Sequence, residues 1–295
     1  MSDGGHPAIR MEELTESYRF DGELAALLTK FQYHKDGISL TAAEPRPLPS
    51  SAYTAQTAGL EAVFGSASSL VFVCYDDRSH EMVNPIETTI SEAIANAVGE
   101  TPPSVVAKPD GGLADSGEQT PVKAGSGDRS VQASQASDTD QSIPSFGVVT
   151  PHNAQRGALD MRLNEGMTAN TVEKYQGGER DIIAVSATVS DPEFARREER
   201  FILNPNRLLV AISRSRLLTV VVCSTSLFEV APKDSDDLDS SPIWARLFIQ
   251  AVGREATPAW AGSLAEFVGN PVEEHAELPI RVLPSRVSKL DESNT

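Results

Sequence analysis

A chain of 295 residues with 40% apolar side chains can hold one large domain or two small ones. Its 42 acidic and 25 basic side chains give a formal net charge of −17, which opposes indiscriminate attraction to nucleic acid. Its longest apolar runs are seven or eight residues; that suits buried strands and falls far short of a membrane span, so no membrane partner is expected.

The N-terminal MSDGGHPAIRMEE lacks the basic-then-apolar pattern of a secretory signal, so a cytoplasmic location is the expectation. Residues 20–34 carry Leu24, Leu27, Leu28 and Phe31 at helical spacing. SLVFVCYDD (69–77) reads as a buried strand, and NPIETTISEAIANAV (84–98) as a helix with Pro85 in its first turn. Residues 99–145 hold eight Ser, six Gly and five Pro but no Phe, Tyr or Trp. Such a segment buries too little apolar surface to offset its ordering entropy and reads as a disordered insertion. FGVVTP (146–151) follows as a strand, HNAQRGALDMRL (152–163) as a helix and DIIAVSATV (181–189) as a strand. The amphipathic NPNRLLVAISRSR (204–216), the strand LLTVVVCS (217–224) and the helix PIWARLFIQAV (242–252) complete the pattern. Residues 231–241 form an acidic loop. Cys74 and Cys223 lie inside apolar runs and read as small buried hydrophobes.

Strands alternating with helices predict an α/β fold, a doubly wound and mainly parallel sheet. One domain would comprise residues 1–98 and 146–252, interrupted by the 99–145 insertion and followed by a partly disordered extension over 253–295.

Four polar stretches stand at the ends of these elements: ESYRFDGEL (16–24), GVVTPHNAQ (147–155), TVEKYQGGERDIIAVSATV (171–189) and NPNRLLVAISRSR. In this order and spacing they resemble the second, C-terminal RecA-like domain of superfamily 1 DNA/RNA helicases. The resemblance is closest to the branch of the nonsense-mediated-decay helicase and the replication helicase-nuclease, and covers roughly residues 14–224. It implies a RecA-like, P-loop NTPase fold that acts on ATP with Mg2+. Arg19 and Arg214 would be arginine fingers aimed at the charge that builds on the γ-phosphate, a task suited to a permanently charged, rigid donor fork. Tyr18 would stack on adenine, Glu179 would face the ribose, and Gln176 and Gly177 would let the backbone approach the γ-phosphate. Thr150 and Thr171, with His152 and Gln155 beside them, would hold the phosphates of single-stranded DNA or RNA without reading sequence.

Taken alone, a Tyr-Arg pair is an ordinary surface pair, and an arginine closing a helix complements its dipole. Arg216 reads as a helix cap or carboxylate partner, Arg207 as a support through a salt bridge, and Lys174 and Arg180 as solvated or functional alike.

No stretch matches G-x-x-x-x-G-K-[ST], the loop that cradles nucleotide phosphates. The resemblance assigns that loop and the magnesium acids to a first RecA-like domain, acting in cis or in trans. Asp76 and Asp77 follow an apolar strand as magnesium ligands do, but the resemblance puts that strand in the second domain, and no metal ligand is expected here. The chain thus reads as the C-terminal motor half of a helicase, inactive alone, from a fragment, a split gene or a truncated gene. The alternatives are a non-catalytic module that binds single strands or a protein, and a remnant of a truncated helicase gene.

The acidic excess, with 18 Arg and only 7 Lys, resembles the surfaces of proteins from a high-salt cytoplasm and predicts a halophilic source. The thermal midpoint is expected to rise by several degrees as KCl is raised from about 0.1 M to about 2 M, because salt screens the self-repulsion. A midpoint independent of salt would contradict this.

Overall fold

In the computed structural model the described residues are 16–17, 21–31, 37–42, 47–99, 144–175, 178–231 and 242–287. The stretch expected to be an insertion lies outside them except at its ends.

A short parallel pair, β1 (Glu16–Ser17) and β2 (Thr41–Ala42), flanks α1 (Gly22–Phe31). Then come α2 (Ala58–Phe64), β3 (Leu70–Tyr75), α3 (Pro85–Val98), β4 (Phe146–Thr150), α4 (Asn153–Asp160), β5 (Thr168–Thr171) and β6 (Arg180–Ser186). Three helices, α5 (Pro192–Arg197), α6 (Glu199–Ile202) and α7 (Pro205–Ile212), lead to β7 (Ser215–Ser224). The chain continues through α8 (Ile243–Val252), β8 (Trp260–Ser263), α9 (Leu264–Val268) and β9 (Pro279–Pro284).

Seven strands form one sheet in the order β5-β4-β6-β7-β3-β9-β8. The first five are parallel, and β9 runs antiparallel to both β3 and β8. This is the expected α/β architecture with a mainly parallel sheet. Side chains alternate between two cores, as a pleated strand requires. Leu70, Phe72 and Cys74 of β3 join Ile183 and Val185 of β6 and Val221 and Cys223 of β7 against α1, α7 and α8. Val71, Val73 and Tyr75 join Ile182, Ala184, Val220 and Val222 against α2, α3 and α9. With both faces covered, β3 is buried at all six positions, which explains its unbroken apolar run.

Parallel strands give the sheet two unlike ends. Three helices leave its carboxyl edge by the same device, Asn or Asp at the N-cap and Pro at the first helical position. Asn84 accepts from Glu87 N at 3.2 Å, Asp191 from Phe194 N at 2.8 Å, and Asn204 from Asn206 N at 2.9 Å. The dipeptides NP, DP and NP in the sequence mark these starts.

Sequence pattern does not announce several elements. β5 is TANT, four residues without an apolar alternation. The tail, weakly patterned in sequence, supplies β8, α9 and β9. β9 pairs with β3 and β8 with β9, closing that side of the sheet, and a Ser263–Glu266 capping box starts α9.

The return from β5 to β6 crosses β4 in only eight residues, a reach of about 26 Å when extended. Val172 and Tyr175 are packed in the core, and Tyr175 lies against Gly147 of β4. A Cβ at Gly147 would collide with the Tyr175 hydroxyl oxygen, while the ring carbon behind it would stand 3.2 Å away. Gly147→Ala is therefore expected to cost about 1–3 kcal/mol in denaturant unfolding. Tyr175→Phe in the same chain should recover part of that loss, and purely additive costs would show that the collision does not set it.

Candidate functional site

The two ends of the sheet separate the candidate residues. Arg214 and Glu179 precede β7 and β6 and stand at the amino edge. Thr150 and Thr171 end β4 and β5, and His152 and Gln155 open α4, at the carboxyl edge. The seven residues of β6 set these edges about 20 Å apart.

At the amino edge, β6 and β7 start side by side, with Arg180 opposite Ser215 and Arg180 N donating to Arg214 O at 3.2 Å. The end of α7 is closed by its own sequence. Ser213 N donates to Leu209 O, Arg214 Nε to Val210 O at 3.0 Å, and Thr219 Oγ1 to Ile212 O at 2.9 Å. Three carbonyls that a helix end leaves open are thereby satisfied. Half-buried Arg214 is thus tied to the helix that carries it.

Arg216 leaves the helix end and pairs with acids, one of the two roles expected of it. Its Nε donates to Glu179 Oε1 at 2.9 Å, a terminal nitrogen donates to the same oxygen, and the other lies 3.7 Å from Asp181 Oδ1. The hydrogen bond and charge of Glu179 raise the Arg216 pKa further. Asp181 also accepts from Ser145 N and Oγ, at 2.8 and 2.7 Å. Glu179, expected beside a ribose, is held here by an arginine. The amino edge also receives the start of α1, where Asp21 Oδ1 accepts from Ser69 Oγ at 2.7 Å and Glu23 from Ser69 N at 2.8 Å.

At the carboxyl edge, Thr150 and Gln155, which the resemblance implies hold a single nucleic-acid strand, face inward. Both are fully buried. Thr150 Oγ1 is 2.7 Å from Thr188 Oγ1. Gln155 Oε1 accepts from Asn84 N at 2.8 Å, and its Nε2 donates to Ser186 Oγ, Thr88 Oγ1 and Asn84 O. Their side chains reach a phosphate only if this network opens.

The network centres on Glu87, which carries no sequence motif. Its carboxylate accepts from Tyr75 Oη at 2.8 Å, Ser186 Oγ at 2.6 Å and Thr188 N at 2.7 Å. Asn84 Nδ2 donates to Tyr75 Oη and to Thr188 O. None of these groups is a cation. Burial pushes Glu87 up to about 7, against its hydrogen bonds, and the nearby Asp77 charge adds to the rise. The available signal was an acid on the apolar stripe of α3, with Ile90 and Ile94 three and seven residues on.

Asp77 is engaged in a neighbouring tie. It accepts from Ser79 N, from His80 Nδ1 at 2.8 Å, and from Ser190 Oγ. Burial opposes its charge, but these bonds outweigh it and hold the carboxyl well below the usual range.

His152 is half-buried in an aromatic stack. Its ring lies 5.5 Å from Phe201 and 6.0 Å from Phe194, and Arg207 sits 3.7 Å over the Phe201 ring. Burial and the Arg207 charge lower the His152 pKa against the pull of Glu198. Arg207 pairs with Glu173, the supporting salt bridge expected of it. Thr171 is buried at the end of β5, and its carbonyl accepts from Tyr175 N. Asn153 and Ala154 are exposed in the first turn of α4, and the His152 side chain does not cap that turn.

Tyr18, Arg19, Gln176 and Gly177 lie outside the described residues. Among the described residues, no group of three or more His, Cys, Asp or Glu could hold a metal ion, and no helix is long and apolar enough to cross a membrane.

Residues 129–226, about a third of the chain, match the AAA domain family. A stretch of 93 residues, 29% of the chain, is 34% identical to the probable RNA helicase armi of Drosophila melanogaster and spans 8% of that protein's length. The matched region is therefore helicase-like in sequence. A solved structure of Haemonchus contortus phospholethanolamine N-methyltransferase 2 is 14% identical, with a TM-score of 0.26 over 50% of this chain and 34% of that one. A superposition that weak carries no argument.

Glu87 binds its proton more tightly folded than unfolded, about 7 against 4.5. Its contribution to stability is present below about pH 4.5 and is lost as pH rises through about 7, a change of up to about 3 kcal/mol. Urea unfolding between about pH 5 and 8 should show this fall in the wild type and a flatter profile in Glu87→Gln. Parallel profiles would refute it.

Proposed function

We propose that this chain is the C-terminal motor half of an ATP-dependent superfamily 1 helicase, working with a first RecA-like domain in cis or in trans. The observation that carries the reading is the AAA domain match over 129–226, which contains both the Thr-Pro turn and the SRSR segment. The similarity to part of an RNA helicase supports it. So does the separation of an arginine-bearing amino edge from a threonine-bearing carboxyl edge, which gives nucleotide and strand different surfaces.

ATP with Mg2+ would be shared with the other domain, which would contribute the phosphate loop absent from this sequence. Arg214 fits a γ-phosphate finger because it is anchored by the helix behind it. Arg19 would be the second finger and Tyr18 the adenine platform. Gln176 and Gly177 would approach the phosphates, and Glu179, through Arg216, would brace the ribose side. At the carboxyl edge, Thr171 and the uncapped first turn of α4 would take the phosphates of single-stranded DNA or RNA. Thr150 and Gln155 would act from inside, and His152 through its stack on Phe201. Domain closure on ATP and reopening after hydrolysis would advance the strand.

Mixing the chain with a separately produced phosphate-loop domain should yield strand-stimulated ATP hydrolysis. Arg214→Ala should lower that rate by about 10³–10⁵. Restored hydrolysis that survives Arg214→Ala removes the finger assignment. Strand binding without ATP, weakened by Thr171→Ala and with no hydrolysis on mixing, favours a non-catalytic binding module.

A further inference from the structure

We infer that Glu87 is a positioning residue for the strand-facing loops of the carboxyl edge, holding Thr188 in a bend on which the turn into α4 depends. The inference rests on the reading of that edge as a strand contact. Thr188 is one of two non-glycine residues among those described with positive φ, at 67°. For a β-branched residue this conformation is strained and persists only where its surroundings impose it. Three partners do so: Thr188 N donates to Glu87 Oε2 at 2.7 Å, Thr188 O accepts from Asn84 Nδ2 at 2.9 Å, and Thr188 Oγ1 meets Thr150 Oγ1 at 2.7 Å.

The consequences spread from there. Thr150 is the last residue of β4 before the Pro151–His152 turn. Ser186, the second donor to Glu87 Oε2, also accepts from Gln155 in the first turn of α4. Two residues past Thr188, Ser190 bonds Asp77 and accepts from His80 N. One carboxylate thus ties β3 to the exit of β6, and the loops after β4 and β3 join that tie through Thr188, Ser186 and Ser190. A buried carboxyl with no cation partner is a costly tie where apolar packing would serve stability as well. What it adds is direction, because its two oxygens fix donors from two strands at defined angles.

The test uses the full chain as wild type, Glu87→Gln and Ser186→Ala. Amide hydrogen exchange is followed at 150–155 and 186–190, with 178–181 and 213–216 at the amino edge as internal reference. Affinity for fluorescein-labelled oligo(dT) and oligo(U) is read by anisotropy. Each substitution should speed exchange at the carboxyl-edge loops by about tenfold or more while leaving the amino edge unchanged, and weaken oligonucleotide binding by a similar factor. Exchange that rises equally at both edges marks general destabilisation and overturns the inference, as does unchanged exchange at 186–190. If wild type binds neither oligonucleotide but the localised exchange appears, Glu87 still positions these loops and the strand reading fails. Should Glu87→Gln not fold, Ser186→Ala interrupts the same carboxylate and decides alone.

Discussion

Five neighbouring strands run the same way, and most of what this protein can do follows from that constraint. Parallel pairing puts every strand exit on one edge and every strand entry on the other. Residues close in sequence are thereby sent to opposite ends: Thr171 and Glu179 are eight apart yet flank the β5–β6 crossover from different edges. Residues far apart in sequence are gathered instead. Glu87, Thr150 and Ser186 span 99 positions between the first and last, and they meet in one cluster.

The same constraint explains why that cluster is polar. Strand exits carry carbonyls and helix starts carry amides, and burying both behind two apolar cores leaves groups that must be paired. Asn84 shows the solution in one residue. Its side chain caps α3 through Oδ1 and reaches Tyr75 and Thr188 through Nδ2, while its backbone engages Gln155. Glu87 completes the set by supplying acceptors where three donors converge, at the cost of an ionisable group driven toward neutrality.

How much of this was legible depended on whether a property is local. The apolar runs of β3, β6 and β7 and the NP start of α3 declare themselves, because burial on two faces and N-capping leave short-range patterns. The SRSR segment was legible as a special place, and Arg216 as a carboxylate partner. β5 and the tail strands were not, because TANT has no apolar alternation and β9 is defined by a partner about two hundred residues earlier in the chain. Thr150 and Gln155 stood out as polar residues at a strand exit. Whether such a residue faces solvent or the interior is settled by Thr188, Asn84 and Ser186, none of which is adjacent in sequence.

The two arginines of SRSR show how geometry divides a pair that composition cannot. They are two residues apart where α7 gives way to β7, and the backbone gives them different neighbours. Arg214 still lies within reach of the last turn of α7 and donates to Val210 O, whereas Arg216 is opposed by β6 and its acids. An arginine carries about 2 kcal/mol of rotamer entropy. Anchoring Nε to the helix that bears it removes part of that freedom before any ligand arrives, so a guanidinium held this way loses less on meeting a phosphate than one on an open loop. An arginine already matched to two carboxylates has its charge compensated, and recruiting it would leave Glu179 and Asp181 without their cation. The bond to Val210 O thus does not oppose the finger role proposed for Arg214, while Arg216 is engaged by Glu179 and Asp181.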